Sequence, residues 1–220
     1  MNIYIKTVFF AIVTFMTISS CSDKSNDVAA DSPLLFVEGT HWSVLNEPLE
    51  YKLKKGEIGV IWEVFSYSCS HCNAFEPFIK QWRKSAPEEI AFEPVPVMWN
   101  AKFNTQATAF YTAQLLNVPE QAHGKLFDAI HITRAKIGSL EDFAQFYSNF
   151  GISEDRFIST SKSFAVKSMV DNAQKISTQV DATPTLIVNG KYLITTKMVP
   201  NRQTILEVAQ YLVERDAANK

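Results

Sequence analysis

The run Val60-Ile61-Trp62-Glu63-Val64-Phe65-Ser66-Tyr67-Ser68-Cys69-Ser70-His71-Cys72 joins a nearly continuous apolar segment to a pair of cysteines three positions apart. Such apolar continuity is expected of a strand covered on both sheet faces, and Glu63 is its one interruption. The residues from Ser70 onward have helical character, so the cysteines sit where a strand hands over to a helix. Cys-x-x-Cys at that junction is the arrangement of a redox dithiol, and its sulfurs can close a disulfide across a first helical turn. The helix N-terminus offers partial positive charge and unpaired N–H groups, which favour a thiolate on the first cysteine. His71, when protonated, adds to that. The spacing predicts disulfide exchange led by Cys69.

Working outward, Ser70 to about Ala86 reads as one helix with Phe75, Phe78, Ile79 and Trp82 on a single stripe, ended by Pro87. Ile90 to Met98 reads as a second core strand, and its Pro94 and Pro96 argue for an exposed edge or a short pairing stretch. A first, peripheral strand is expected between His41 and Leu53. From Ala101 to about Val180 the repeated signal is helical, with a capping box at Ser139-Leu140-Glu141-Asp142, a cap at Ser153 and a longer helix from Phe164 to Val180. Strands return at Thr185–Val188 and Lys191–Ile194 around Asn189-Gly190, a hairpin signal, and Asn201 caps a last helix. The order predicts an α/β core interrupted by an all-helical insertion.

Composition bounds the function. The chain has 220 residues, 46% of them hydrophobic and 20% charged, which suits a globular core. A net charge of −2 with no basic run gives no reason to expect nucleic acid as a partner. The first 20 residues carry one charge, Lys6, and Thr7–Ile18 is apolar but too short to cross a bilayer, so they read as an export signal. The third cysteine, Cys21, follows directly. Residues 21–35 are rich in Ser, Asp, Asn and Ala, as a flexible linker would be.

Two further stretches bear on identity. Glu63-Val64-Phe65-Ser66-Tyr67-Ser68-Cys69-Ser70-His71-Cys72-Asn73-Ala74-Phe75-Glu76 resembles the active-site region of DsbA-type oxidoreductases, and Ala182-Thr183-Pro184-Thr185-Leu186-Ile187-Val188-Asn189-Gly190-Lys191-Tyr192 resembles their cis-proline strand and hairpin. The resemblance runs from about Phe36 to Arg215. It implies a thioredoxin fold with residues 36–100 and 181–220 as the thioredoxin-like domain and 101–180 as the helical insertion. Ile18-Ser19-Ser20-Cys21 resembles a bacterial lipobox, which implies lipidation of Cys21 and a periplasmic protein tethered to a membrane. Ordinary cleavage near Ser20 is the alternative. The dipeptide between the cysteines is Ser70-His71 where the family most often has Pro-His, and Thr183 stands where Val is common.

The resemblance assigns roles. Cys69 is the expected nucleophile and Cys72 the resolving thiol; a structural bridge or half a zinc site are the alternatives, although no second Cys pair exists and His41, His123 and His131 lack ligand-like spacing with this one. His71 is expected to stabilise the Cys69 thiolate, or else to be a solvated first-turn histidine. Glu63 is expected beneath the disulfide as a proton relay to Cys72, or else at a strand end reaching solvent. Glu76 also matches a family acid, with a solvated helix charge as its alternative. Pro184 is expected to be cis, orienting the Thr183 backbone toward an extended client, with Thr183 Oγ in reach of the thiolate; Ser70 is the remaining candidate for client contact. The implied activity is insertion of disulfides into unfolded exported proteins with free thiols. Reoxidation would fall to a quinone-coupled membrane partner of the DsbB type, and no cofactor or metal is implied. A periplasmic reductase or isomerase, and a non-enzymatic lipoprotein holdase, are the competing readings.

Overall fold

The computed structural model describes residues 36–219; the expected leader, the linker and Cys21 lie outside them. Its centre is β2 (Gly59–Phe65), buried at every position. β2 pairs in parallel with β3 (Ile90–Pro96) and antiparallel with β4 (Thr185–Val188), which turns back into β5 (Tyr192–Thr195); β1 (Ser43–Val44) closes the far edge, giving the order β1-β5-β4-β2-β3. The hairpin turns at Asn189 and Gly190, both with positive φ, +50° and +60°. Asn189 is also a fastener: its Oδ1 accepts from Val60 N at 3.0 Å and its Nδ2 donates to Asp216 at 3.2 Å.

Successive β2 side chains point to opposite faces. Ile61 packs with β4, β5, α2 (Glu76–Trp82) and the last helix α8 (Arg202–Ala218). Val60, Trp62 and Val64 pack with α3 (Ala101–Leu115) and α7 (Phe164–Ser177). Glu63, being odd-numbered, falls on the α2 side. A third cluster joins Phe65, Tyr67 and Cys72 to α3, α4 (Gln121–His131), α5 (Leu140–Ser148) and α6 (Glu154–Ser161), so the redox turn is floored by the helical segment.

Three expectations change. The single helix from Ser70 is two: α1 (Ser70–Asn73) and α2, with a bend at Ala74-Phe75 where Phe75 N bonds Cys72 O. Pro77 lacks an N–H and fits the first turn of a new helix better than the interior of a continuous one. The peripheral strand between 41 and 53 shrinks to Ser43–Val44; beyond it only Leu45 N and Leu49 N bond the hairpin, to Lys191 O and Gly190 O, and Pro48 offers no donor. The helix from Phe164 ends at Ser177 rather than Val180. The Ser139–Asp142 capping box and the caps at Ser153 and Asn201 are present. β3 is the sheet's edge. Val97 N donates inward to Phe65 O at 2.8 Å, so the alternate positions 94 and 96, both proline, face outward.

Candidate active site

β2 ends at Phe65, and the turn Ser66-Tyr67-Ser68 delivers Cys69 to the N-cap of α1. The turn is clamped from α3. Ser66 Oγ donates to Gln106 Oε1 at 3.0 Å, Gln106 Nε2 donates to Ser68 Oγ at 2.6 Å, and Ser68 N donates to Ser66 Oγ at 3.0 Å. Gln106 is buried, so both ends of its amide are spent on this turn. His131 of α4 adds a contact of 2.8 Å from Nε2 to Tyr67 O.

The two thiols are free and unequal: Cys69 is half-buried and Cys72 fully buried. Cys69 is held down to about 5 from an ordinary 9.0. The largest cause is the hydrogen bond from the Cys72 thiol; the Thr183 side chain and the backbone N–H groups of Cys72 and His71 act in the same direction, against partial burial. Cys72 N lies 3.4 Å from Cys69 Sγ. Cys72 itself is pushed far up, first because its proton is engaged by Cys69, then by burial and by the nearby Glu63 and Cys69 charges. One sulfur is thus a thiolate at neutral pH while its neighbour stays a thiol. His71 is exposed, and its contribution runs through its backbone N–H; among the described residues its imidazole makes no hydrogen bond to the sulfur.

Thr183-Pro184 is a cis peptide, and the Thr183 carbonyl lies 3.4 Å from Cys69 Sγ, in line to accept from the thiol form. Pro184 is buried and Thr183 half-buried, whereas Ser70 is exposed at the rim. Residues of two separate stretches, 69–72 and 183–184, thus meet at one sulfur.

Glu63 is buried at 1% exposure, and neither of its carboxylate oxygens has a hydrogen-bond partner among the described residues. Burial above all, then the Glu76 charge, holds its carboxyl well above the usual range, with Arg83 opposing. It lies within electrostatic reach of Cys72. It faces a cavity of about 530 Å³ that also receives Glu76, His123, Lys80 and Arg83. Glu76 is itself buried, which the sequence did not settle. Gln106, His123 and Arg83 were not read as site residues. No cluster of three or more metal-binding side chains occurs among the described residues.

A thioredoxin-type sheet carrying an acidic half-buried thiol over a neutral buried one, beside the Thr183 carbonyl that precedes a cis-proline, defines the class of thiol–disulfide oxidoreductases. The DSBA-like thioredoxin domain family matches residues 79–213, and the chain belongs to that family. That span begins beyond the redox turn, so Cys69 and Cys72 are an independent observation. Similar proteins include the thiol:disulfide interchange protein DsbA of Pseudomonas aeruginosa, 32% identical over 185 residues, 83% of this chain and 87% of the relative. The protein of the same name from Azotobacter vinelandii is 36% identical over 163 residues, 73% of this chain and 76% of the relative. The crystal structure of Pseudomonas aeruginosa DsbA superposes with a TM-score of 0.75 at 32% identity, covering 84% of this chain and 97% of that one.

Proposed function

We propose that this thiol:disulfide oxidoreductase works as a dithiol oxidase, donating the Cys69–Cys72 disulfide to unfolded exported proteins. The observation that carries the reading is the split acidity of the two thiols. A thiolate is the better leaving group and the poorer partner for a disulfide, so each tenfold gain in Cys69 acidity above what working pH requires favours the dithiol by about 1.4 kcal/mol, or about 30 mV. In the cycle a client thiolate attacks Cys69. The S–S bond breaks, its electron pair passes to Cys72, and the Glu63 carboxyl, which burial holds toward its protonated form, supplies the proton that so weak an acid retains. A second client thiol then attacks the mixed disulfide, leaving the client oxidised and Cys69 as thiolate. The Thr183 backbone, with Pro184 and the exposed Ser70, is the docking point for an extended client strand.

The likeness to DsbA proteins supports a periplasmic site of action and reoxidation by a quinone-coupled membrane partner of the DsbB type. The lipobox-like Ile18–Cys21 supports tethering through a lipidated Cys21, with residues 36–100 and 181–220 as the redox domain and 101–180 as its insertion. Incorporation of labelled fatty acid, abolished by Cys21→Ser, is the expected outcome; a processed but unlabelled protein would indicate simple signal cleavage.

Thr183 favours the competing reductase or isomerase, because a threonine often precedes the cis-proline in disulfide isomerases. Trapping the cellular redox state with a thiol-alkylating reagent separates the two. The oxidase keeps Cys69–Cys72 mostly oxidised at steady state, and a mostly reduced pool overturns it. Cys69→Ala should abolish client oxidation; unchanged folding of a disulfide-dependent client would leave only a holdase.

A further inference from the structure

We propose that His123, held between Tyr67 and Glu76, is the positioning residue through which the buried Glu63 carboxyl exchanges its proton with solvent. The inference rests on the Glu63 role proposed above and names the route by which that acid is reloaded.

Glu63 is buried, and its oxygens have no hydrogen-bond partner among the described residues to hand it a proton. The cavity it faces reaches the surface beside Lys80, Arg83 and Glu120, all exposed residues. His123 lines the same cavity. Its Nδ1 is 2.8 Å from Tyr67 Oη, and its Nε2 is 3.5 Å from Glu76 Oε1 with no hydrogen bond of its own among the described residues. The rings of Phe65, Phe127 and Phe110 pack around it at 5.0, 5.2 and 5.8 Å.

The Tyr67 contact at Nδ1 leaves Nε2 as the ring nitrogen that faces Glu76. If the Tyr67 hydroxyl donates to Nδ1, the neutral imidazole carries its proton on Nε2, facing Glu76. At 3.5 Å that proton is held loosely compared with a hydrogen bond near 2.9 Å. The charged and titratable groups that share the cavity with His123 are Glu63 from β2, Tyr67 from the turn, Glu76 and Lys80 from α2, Arg83 after it, Glu120 at the head of α4 and Tyr147 from α5; α3 presents Phe110 and Gln114. Lys80 reaches in because Gly124 has no side chain: a Cβ there would stand 2.5 Å from Lys80 Nζ. Arg83 is diverted by Glu120, 2.6 Å from Nη1, and by the Phe92 carbonyl.

The step balances. The client–Cys69 bond forms, the Cys69–Cys72 bond breaks, and Cys72 takes a proton from Glu63. Glu63 takes one from the His123–Glu76 pair, which takes one from solvent at the cavity mouth. The reverse order serves reoxidation.

The test uses the oxidised full chain, with reduced dithiothreitol as reductant, across pH 5 to 8. The ratio of variant to wild-type rate at each pH cancels ionisation of the dithiol. His123→Gln is expected to lower the rate about tenfold at pH 8, within the reach of proton-transfer assistance. The deficit should shrink toward pH 5, where hydronium substitutes, while the glutathione equilibrium and the Cys69 thiolate midpoint stay unchanged. Imidazole added to His123→Ala should restore part of the rate, which a purely structural residue would not allow. Glu76→Gln gives the same pH-dependent deficit if the histidine variants do not fold. A His123→Gln rate equal to wild type, or a deficit constant with pH, overturns the inference while a slow Glu63→Gln leaves the Glu63 role standing. A Glu63→Gln variant as fast as wild type removes that role and this inference with it.

Discussion

The chemistry depends on how two sulfurs divide one proton. Because the Cys72 thiol is the main stabiliser of the Cys69 thiolate, the acidity of Cys69 belongs to the pair. Thiolate absorbance of the reduced protein should titrate with a midpoint near 5, and Cys72→Ala should move it upward toward the ordinary 9.0. An unmoved midpoint would transfer the effect to Thr183 and the α1 backbone. Glu63 runs in the opposite direction. Its carboxyl is held above the 4.5 of the unfolded chain, so the part of its cost that comes from ionisation is absent below that pH and increasingly destabilises the fold above it, on top of the cost of an unpaired buried polar group. Glu63→Leu should therefore raise stability at pH 7 by about 1–3 kcal/mol, as removal of an unpaired buried polar group does. The gain over wild type should shrink as pH falls below 4.5, which urea unfolding at pH 3.5 and 7 will measure. The cysteines, the cis-proline and the odd acid in β2 were legible because each breaks a local pattern or matches a motif. His123 and Gln106 were not, since their meaning comes from partners 56 and 40 positions away.

At the scale of elements, the hairpin was plain in Asn189-Gly190, because a two-residue turn with both φ positive leaves few residue types that fit. Less visible was what packs on it. A Cβ at Gly190 would collide with the Leu49 carbonyl oxygen, and backbone has nowhere to retreat. Gly190→Ala should lower stability by about 2 kcal/mol or more, combining the φ penalty with the loss of the Leu49 N–Gly190 O bond; a thermal melt within a degree of wild type would show that the 49–50 loop yields. The break between α1 and α2 was missed for a reason of the same kind. The apolar stripe Phe75, Phe78, Ile79, Trp82 satisfies a continuous helix and a broken one equally, and only Pro77 told them apart.

At the scale of the whole molecule, the sheet fixes where the sulfur is and the helical segment fixes how it is held. Gln106 from α3 and His131 from α4 bracket the three residues before Cys69. Gln106→Leu should leave the fold intact, cost about 1–3 kcal/mol through the orphaned Ser66 and Ser68 hydroxyls, and slow client oxidation while the Cys69–Cys72 pair remains able to close. An unchanged rate would mean that the turn is rigid without its clamp. That the chain turns helical between two halves of a sheet was readable from periodicity; that the inserted helices steady the redox turn was not, because hydrogen bonds across an insertion leave no trace in local sequence.

The two outward-facing prolines of β3 carry a consequence for a protein whose proposed partners are unfolded chains. An open sheet border is a template on which any stray extended polypeptide can zip itself. Here that border is missing two consecutive outward donors, so a chain laid along it finds no ladder to climb. The rim of β3 is thereby a poor place for such a chain to settle.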